Sequence, residues 1–192
     1  MAGKSIIDKE TLLKVAMGMV EALGIESINA RSLANMAGIS TKPIYRLYTS
    51  LEDLKRDVNE LIKREYDSFI MKRVDNKNAL ITVSVAYIEF AQMHKNYFRS
   101  MFLSHNLNWT SVNDVLNEKW NQSTIINLVN KHGLSFEAAK DLFMHVWLYA
   151  NGLATLIASN ELTIDNKEIL VRVVKIYKEL SKNFKEIKPK VK

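Results

Sequence analysis

Between Gly38 and Ser50 the chain reads "GISTKPIYRLYTS", one helix stop followed by the starts of two more helices. Gly38 suits the left-handed residue that ends a helix, while Ser40 and Ser50 are residue types that cap helix starts. Asp53 stands three residues past Ser50, the spacing of a capping box. What lies between is predicted to be a helix over about 40–47, barely two turns long. A helix that short is marginal in water, so the chain around it must brace it. Ile44 and Tyr48, four residues apart with Leu47 beside them, supply an inner face. Ile39 precedes the Ser40 cap at the staple spacing to Ile44, and Pro43 falls in the first turn, where an amide hydrogen has no intrahelical partner. Thr41, Lys42, Tyr45 and Arg46 are left on the outer face.

The bracing elements are legible on both sides. In "DKETLLKVAMGMVEALG" Leu12, Ala16, Met19, Val20 and Leu23 recur at helical spacing between a capping Asp8 and Gly24. In "INARSLANMAG" Asn29 is placed to accept from first-turn amides, and Ile28 and Leu33 have the spacing of a hydrophobic staple. Ala30, Leu33, Ala34 and Ala37 share one face, small enough for another backbone to approach. After Ser50 the series Leu54, Val58, Leu61 and Ile62 begins a further helix. Two short helices meeting at a glycine turn, the second showing hydroxyl, cation and phenol groups, is helix-turn-helix grammar. The major groove admits one helix, and only its first turn or two must reach base edges.

Residues 24–54 resemble the TetR family of bacterial one-component regulators. The likeness rests on Gly24, Asn29, Leu33-Ala34, Ala37-Gly38-Ile39-Ser40, Tyr45, Tyr48 and Ser50-Leu51-Glu52-Asp53-Leu54. It implies an all-α fold, with a DNA-binding domain over 1–50 and a ligand-sensing and dimerisation domain over 51–192. It further implies that Thr41 and Lys42 contact bases or phosphate, that Tyr45 contacts phosphate and that Arg31 grips the DNA backbone. Arg46 joins them by its place on the outer face, so the candidate contact set is Arg31, Ser40, Thr41, Lys42, Pro43, Tyr45 and Arg46. Two positions depart from the family's usual string. Leu47 and Leu51 stand where phosphate-touching His and Lys are common, with Lys55 and Arg56 a turn further on as partial substitutes.

Composition narrows the alternatives. Two Pro and six Gly in 192 residues, among long runs of Leu, Ile, Val, Ala, Lys and Glu, fit an all-helical chain. The absence of cysteine excludes disulfides, thiol catalysis and thiolate metal sites, and fits a cytoplasmic protein. No apolar run is expected to span a membrane, and "MAGKSIIDKE" lacks a signal-peptide core. The net charge of +6 says little about DNA, because residues 172–192 hold 8 Lys/Arg against 2 Asp/Glu and the rest of the chain is nearly balanced. That basic end reads as a solvated helix face with a Lys-rich tail.

Further along, "VDNKN" at 74–78 reads as the break before a helical bundle. "ALITVSVAYIEFAQMH" aligns Leu80, Val83, Tyr87, Phe90, Ala91 and His94. A short helix in "NYFRSMFLSH", a loop at "NLNWTSVND" and a helix through "VLNEKWNQSTIINLVNKHG" follow. "SFEAAKDLFMHVWLYANGLATLIASN" is apolar nearly all round from Leu142 to Ala158, as in a helix buried on several sides. Ile169, Val173, Ile176, Tyr177, Leu180 and Phe184 form a near-heptad seam in the last helix. The resemblance implies that the last two helices pair in a homodimer, which suits a palindromic double-stranded operator. It also implies an effector pocket for a small molecule, for which Tyr87, Phe90, His94, Phe98, Trp120 and Trp147 are candidates. Residue by residue, aromatics at helical spacing are better read as core.

Enzyme readings find no support. "GKS" at 3–5 lacks the glycine loop and strand of a phosphate-binding motif. His94, His105, His132 and His145 show no metal-ligand spacing, no Ser-His-Asp arrangement has an elbow, and no cofactor is implied. The expectation is a ligand-responsive transcriptional repressor released from its operator by a small-molecule effector. The alternative is a helical ligand- or partner-binding protein of the same fold that does not bind DNA.

Overall fold

The computed structural model describes residues 7–104, 109–160 and 162–185, with side chains as far as Lys182. The "GKS" at 3–5, His105, the start of the expected loop at 106–108, the side chain of Phe184 and the tail beyond Lys185 lie outside the described residues. The described residues form an all-α protein with ten helices: α1 (Lys9–Leu23), α2 (Ala30–Met36), α3 (Lys42–Leu47), α4 (Leu51–Met71), α5 (Ala79–Met93), α6 (Lys95–Phe102), α7 (Val112–Asn117), α8 (Lys119–His132), α9 (Phe136–Ser159) and α10 (Asn166–Lys185).

Packing divides the chain into two compact units, with breaks after Asp67 and at His94 and Asn108. The first unit contains α1–α3, most of α4, and α6. The second contains the last turn of α4, α5 and α7–α10. The sequence division at 50/51 therefore marks the start of a helix, and in packing terms most of α4 belongs with α1–α3.

In the first unit Leu12, Ala16, Val20, Leu33, Leu54, Val58, Ile62 and Phe98 are fully buried. Helix α6 is fastened to the second half of α1 by three polar contacts. The Tyr97 hydroxyl donates to the Met17 carbonyl at 3.2 Å, the Asn96 amide donates to the Glu21 carbonyl at 2.9 Å, and His94 Nδ1 lies 2.8 Å from Glu21 Oε1. The Glu21 carbonyl is among the last four of α1, which have no intrahelical donor, so Asn96 satisfies an orphan. Burial and the charge of Glu21 push the Tyr97 phenol up to about 12.

In the second unit α9 lies against α5, α8 and α10. Its apolar character has a packing cause: Leu142, Phe143, Val146, Ala150, Ala154 and Ile157 are buried among these neighbours. The expectation that no apolar stretch reaches membrane-spanning length needs correction, because α9 is long and apolar enough by length and composition. Phe69 meets Phe90 edge-on at 5.3 Å, and Arg73 covers the Phe69 ring at 3.5 Å while pairing with Glu89 at 3.3 Å.

The helix expected through residues 115–132 is broken at Glu118 into α7 and α8. Ser111 caps α7 in a capping box with Asp114, so the expected loop "NLNWTSVND" ends earlier than its composition suggests. The left-handed Gly133 closes α8 as expected (φ 63°).

Candidate nucleic-acid interface

The segment from Asn29 to Asp53 is built by side chains that satisfy helix ends. Asn29 Oδ1 accepts from the Arg31 and Ser32 amides at 3.1 and 3.0 Å, and Ser32 Oγ accepts from the Asn29 amide at 3.2 Å. This completes a capping box whose second member, a serine three residues on, went unread in the sequence. Helix α2 stops in a Schellman turn: Gly38 N–H donates to Asn35 O at 3.2 Å and Ile39 N–H to Ala34 O at 3.0 Å. Gly38 has φ +65°, a conformation that costs L-residues about 1–2 kcal/mol. At the far side Ser50 Oγ accepts from the Asp53 amide at 3.1 Å and donates to the Asp53 carboxylate at 2.9 Å, starting α4.

Helix α3 departs from expectation at its start. It begins at Lys42, Thr41 occupies the cap position in helical backbone, and no side chain caps it. A capping residue needs extended backbone to swing its oxygen over the first turn. Here the Thr41 carbonyl instead accepts from both Ile44 (3.1 Å) and Tyr45 (3.4 Å), a tightened first turn. Ser40 is thus not the cap. It is exposed, and Pro43 sits at the second helical position, within the first turn as expected.

The two faces of α3 separate cleanly. Ile44 is fully buried and Tyr48, the residue that ends α3, is buried behind it. The Tyr48 hydroxyl donates to Asp57 Oδ2 at 3.0 Å, Lys9 Nζ lies 2.6 Å from the same oxygen, and the Lys9 ammonium sits 4.9 Å over the Tyr48 ring. Burial, reinforced by the Asp57 carboxylate, pushes the Tyr48 phenol far above its usual range. The Lys9 hydrogen bond holds the Asp57 carboxyl below its usual range against the opposing effect of burial.

Outside, Lys42 and Arg46 are exposed and Tyr45 is 58% exposed, while Thr41 and Pro43 are partly covered. Arg31 on α2 is exposed as well. None of Arg31, Lys42 or Arg46 has a carboxylate within salt-bridge distance among the described residues. The cations suggested as substitutes differ in this respect. Lys55 is only 26% exposed and lies 3.7 Å from Glu26, and Arg56 is held by Asp53 at 3.0 Å.

The six expected pocket residues are divided between the units. His94 and Phe98 pack with α1 in the first unit, where His94 also stacks on Tyr97. In the second, Phe90 is packed against Phe69, the Tyr87 hydroxyl donates to Asn151 Oδ1 at 2.9 Å, Trp147 meets Trp109 edge-on at 6.1 Å, and Trp120 is half-buried on α8. A cavity beside Leu80, Leu128, His132 and Tyr177 encloses about 10 Å³, room for one water.

Among the described residues, no cluster of three or more His, Asp or Glu side chains has the geometry of a metal site. No family model matches the chain, and no curated protein matches it.

Proposed function

We propose that the chain is a DNA-binding transcriptional regulator of the TetR type, acting as a homodimer that a small-molecule effector releases from a palindromic operator. The observation that carries this reading is the outer face of α3: Lys42 and Arg46 without acidic partners among the described residues, with exposed Tyr45 between them and Arg31 on the preceding helix. Free cations around a projecting aromatic, on a stub braced through Ile44 and Tyr48, suit a polyanionic groove. Helix α4 starts directly after this stub and continues for 21 residues, a lever through which effector binding can act on it. A useful switch requires the effector to favour one state by about 1–3 kcal/mol.

The pairing surface in this reading is the outer side of α9 and α10. On α9, Leu148 and Leu156 are each 55% exposed with Gly152 midway between them, and on α10 Leu170 and Val171 are exposed. A row of exposed leucines around a glycine suits close packing against a second copy.

The test is the salt dependence of binding to DNA from the flanking intergenic region, followed by fluorescence anisotropy. Each phosphate contact adds about −0.9 to the log–log slope. Lys42→Ala is expected to reduce the steepness by about 1 and Tyr45→Ala to weaken binding at every salt concentration, both with unchanged helicity. Wild-type behaviour in both variants would remove these residues from the interface.

The second reading, a helical ligand- or partner-binding protein without DNA binding, draws on Leu47 and Leu51 and on the pairing of Lys55 and Arg56 with acids. A flat salt dependence on all DNA tested favours it.

A further inference from the structure

We propose that the groove between α1 and α4 binds an anionic amphiphile, a carboxylate carrying a single apolar chain, with its head group on Arg64. The groove offers about 510 Å³, inside the range of roughly 300–1,000 Å³ usual for small-molecule sites. Its floor is apolar: the buried Leu13 and the partly accessible Met17 from α1, with the partly accessible Leu61 from α4. Lys9 and Asp57 meet at one end. Met17 and Arg64 line the groove too, each about two turns further along its helix than Lys9 and Asp57. From Lys9 to Met17 is about 12 Å at the helical rise, enough for a straight chain of roughly nine or ten carbons.

The rim selects the sign of the head group. Lys9 is held by Asp57 at 2.6 Å and Lys14 by Glu10 at 2.6 Å, so their charges are already met. Arg64 is exposed and has no carboxylate within salt-bridge distance among the described residues. A guanidinium at the end of an apolar trough presents a two-pronged donor to a carboxylate, which a cationic head would repel. A second copy of the chain fits less well, because a two-fold contact would bring the Arg64 guanidinium of both copies into one interface, with Glu10 and Asp57 already engaged by lysines. The occupant also touches the support of α3, since Lys9 bridges Asp57 beneath Tyr48. The binding itself is independent of the regulator reading and is measured without DNA.

The experiment titrates sodium decanoate, below its micellar concentration, into the full chain by isothermal calorimetry. Sodium acetate and n-decyltrimethylammonium serve as controls. One decanoate per chain is expected, with the ammonium at least about tenfold weaker and acetate silent. Arg64→Gln and Leu61→Gln are each expected to weaken decanoate about tenfold while leaving the circular dichroism unchanged. Magnetisation transfer from the decanoate chain to the Met17 methyl reports the position without any substitution. The proposal is overturned by equal affinity for both head groups, by wild-type affinity in Arg64→Gln, or by no transfer to Met17. It is overturned equally if Leu61→Gln dissociates a dimer, which would give the groove to a second copy.

Discussion

The stretch from α2 to the start of α4 and the α5–α9 pair are both helical, yet they are held in opposite ways. In the first, helices of seven and six residues bury only Leu33, Ala34 and Ile44, and polar chemistry at the boundaries supplements them: Asn29 and Ser32, the Gly38 turn, Ser50 and Asp53. In the second, helices of 15 and 24 residues are positioned by their sides, through Leu80, Ile88, Phe90, Phe143, Val146 and Ala154. The surfaces differ accordingly. The short helices turn cations outward, and α9 turns leucines outward. Polar chemistry at the boundaries leaves the exposed face of a short segment to charge, whereas a long helix held along its sides can leave leucines outward for a partner.

The contrast breaks most severely at the core of the second unit. Phe143→Ala removes a fully buried ring, and losses of about 3–5 kcal/mol are typical of such truncations. Hydrogen exchange is the informative readout. Protection is expected to fall across α8 and α9 while α1–α3 keep theirs. Equal loss in both units would mean that the packing division has no energetic counterpart.

Gly152→Glu is next. A Cβ at Gly152 meets no atom within 4 Å, so a single chain accommodates it and gains helix propensity. In a dimer packed over Leu148 and Leu156 the carboxylate would be buried without a partner, at a cost of several kcal/mol. Sedimentation is expected to show dimerisation weakened at least about a hundredfold with helicity retained. An unaltered dimer would place the interface elsewhere.

Caps give a smaller and more local difference. Asn29→Ala is expected to cost about 1 kcal/mol, as N-cap removals typically do, and to raise exchange throughout α2. Ser135→Ala, which removes the corresponding bond to the Ala138 amide of α9, is expected to fray one turn only, because α9 is secured along its length. Chemical denaturation combined with residue-level exchange checks both. A global effect from Ser135→Ala would erase the distinction.

These differences also explain what could be read in advance. Caps are written in short polar strings, so Asp8, Asn29, Gly38 and Ser50 could be assigned from residue type and spacing. Ser40 has the same chemistry and failed, since α3 starts only at Lys42 and the cap position falls on Thr41 in helical backbone, which composition does not encode. The break at Glu118 was hidden because α7 and α8 carry continuous helical periodicity through it. Tyr87, Phe90 and Phe98 were legible as inward-facing, but aromatic spacing says nothing about which unit a ring packs into. The groove over Leu13, Met17 and Leu61 was invisible for a related reason: Leu61 reads as an ordinary member of the α4 apolar series, and Leu13 and Met17 lie outside the α1 series, until the separation of α1 and α4 is known. The ion pairing of Lys55 and Arg56 likewise needed coordinates.

The smallest expected effect lies where the two modes of support meet, at the Lys9–Asp57–Tyr48 cluster that closes α3. Its pH dependence has a definite sign. The Asp57 carboxyl is held below its usual value by Lys9, so the folded state binds a proton there less readily than the unfolded chain does. The resulting stabilisation is fully present above the unfolded value of about 3.9 and is lost as pH falls through the lower folded value. The magnitude is expected to stay under about 1 kcal/mol, because the Lys9 and Asp57 side chains are 55% and 36% exposed and the pair is screened by water. Asp57→Asn leaves an acceptor for the Tyr48 hydroxyl and removes only the charge. Urea melts should therefore show a gap between wild type and variant at pH 6 that closes as pH is lowered to 3, and that also narrows at pH 6 in about 1 M salt. A gap independent of both pH and salt would mean that Tyr48 is held by burial and its hydrogen bond alone. The end of α3 would then be secured by its side, like α9, and not by polar chemistry.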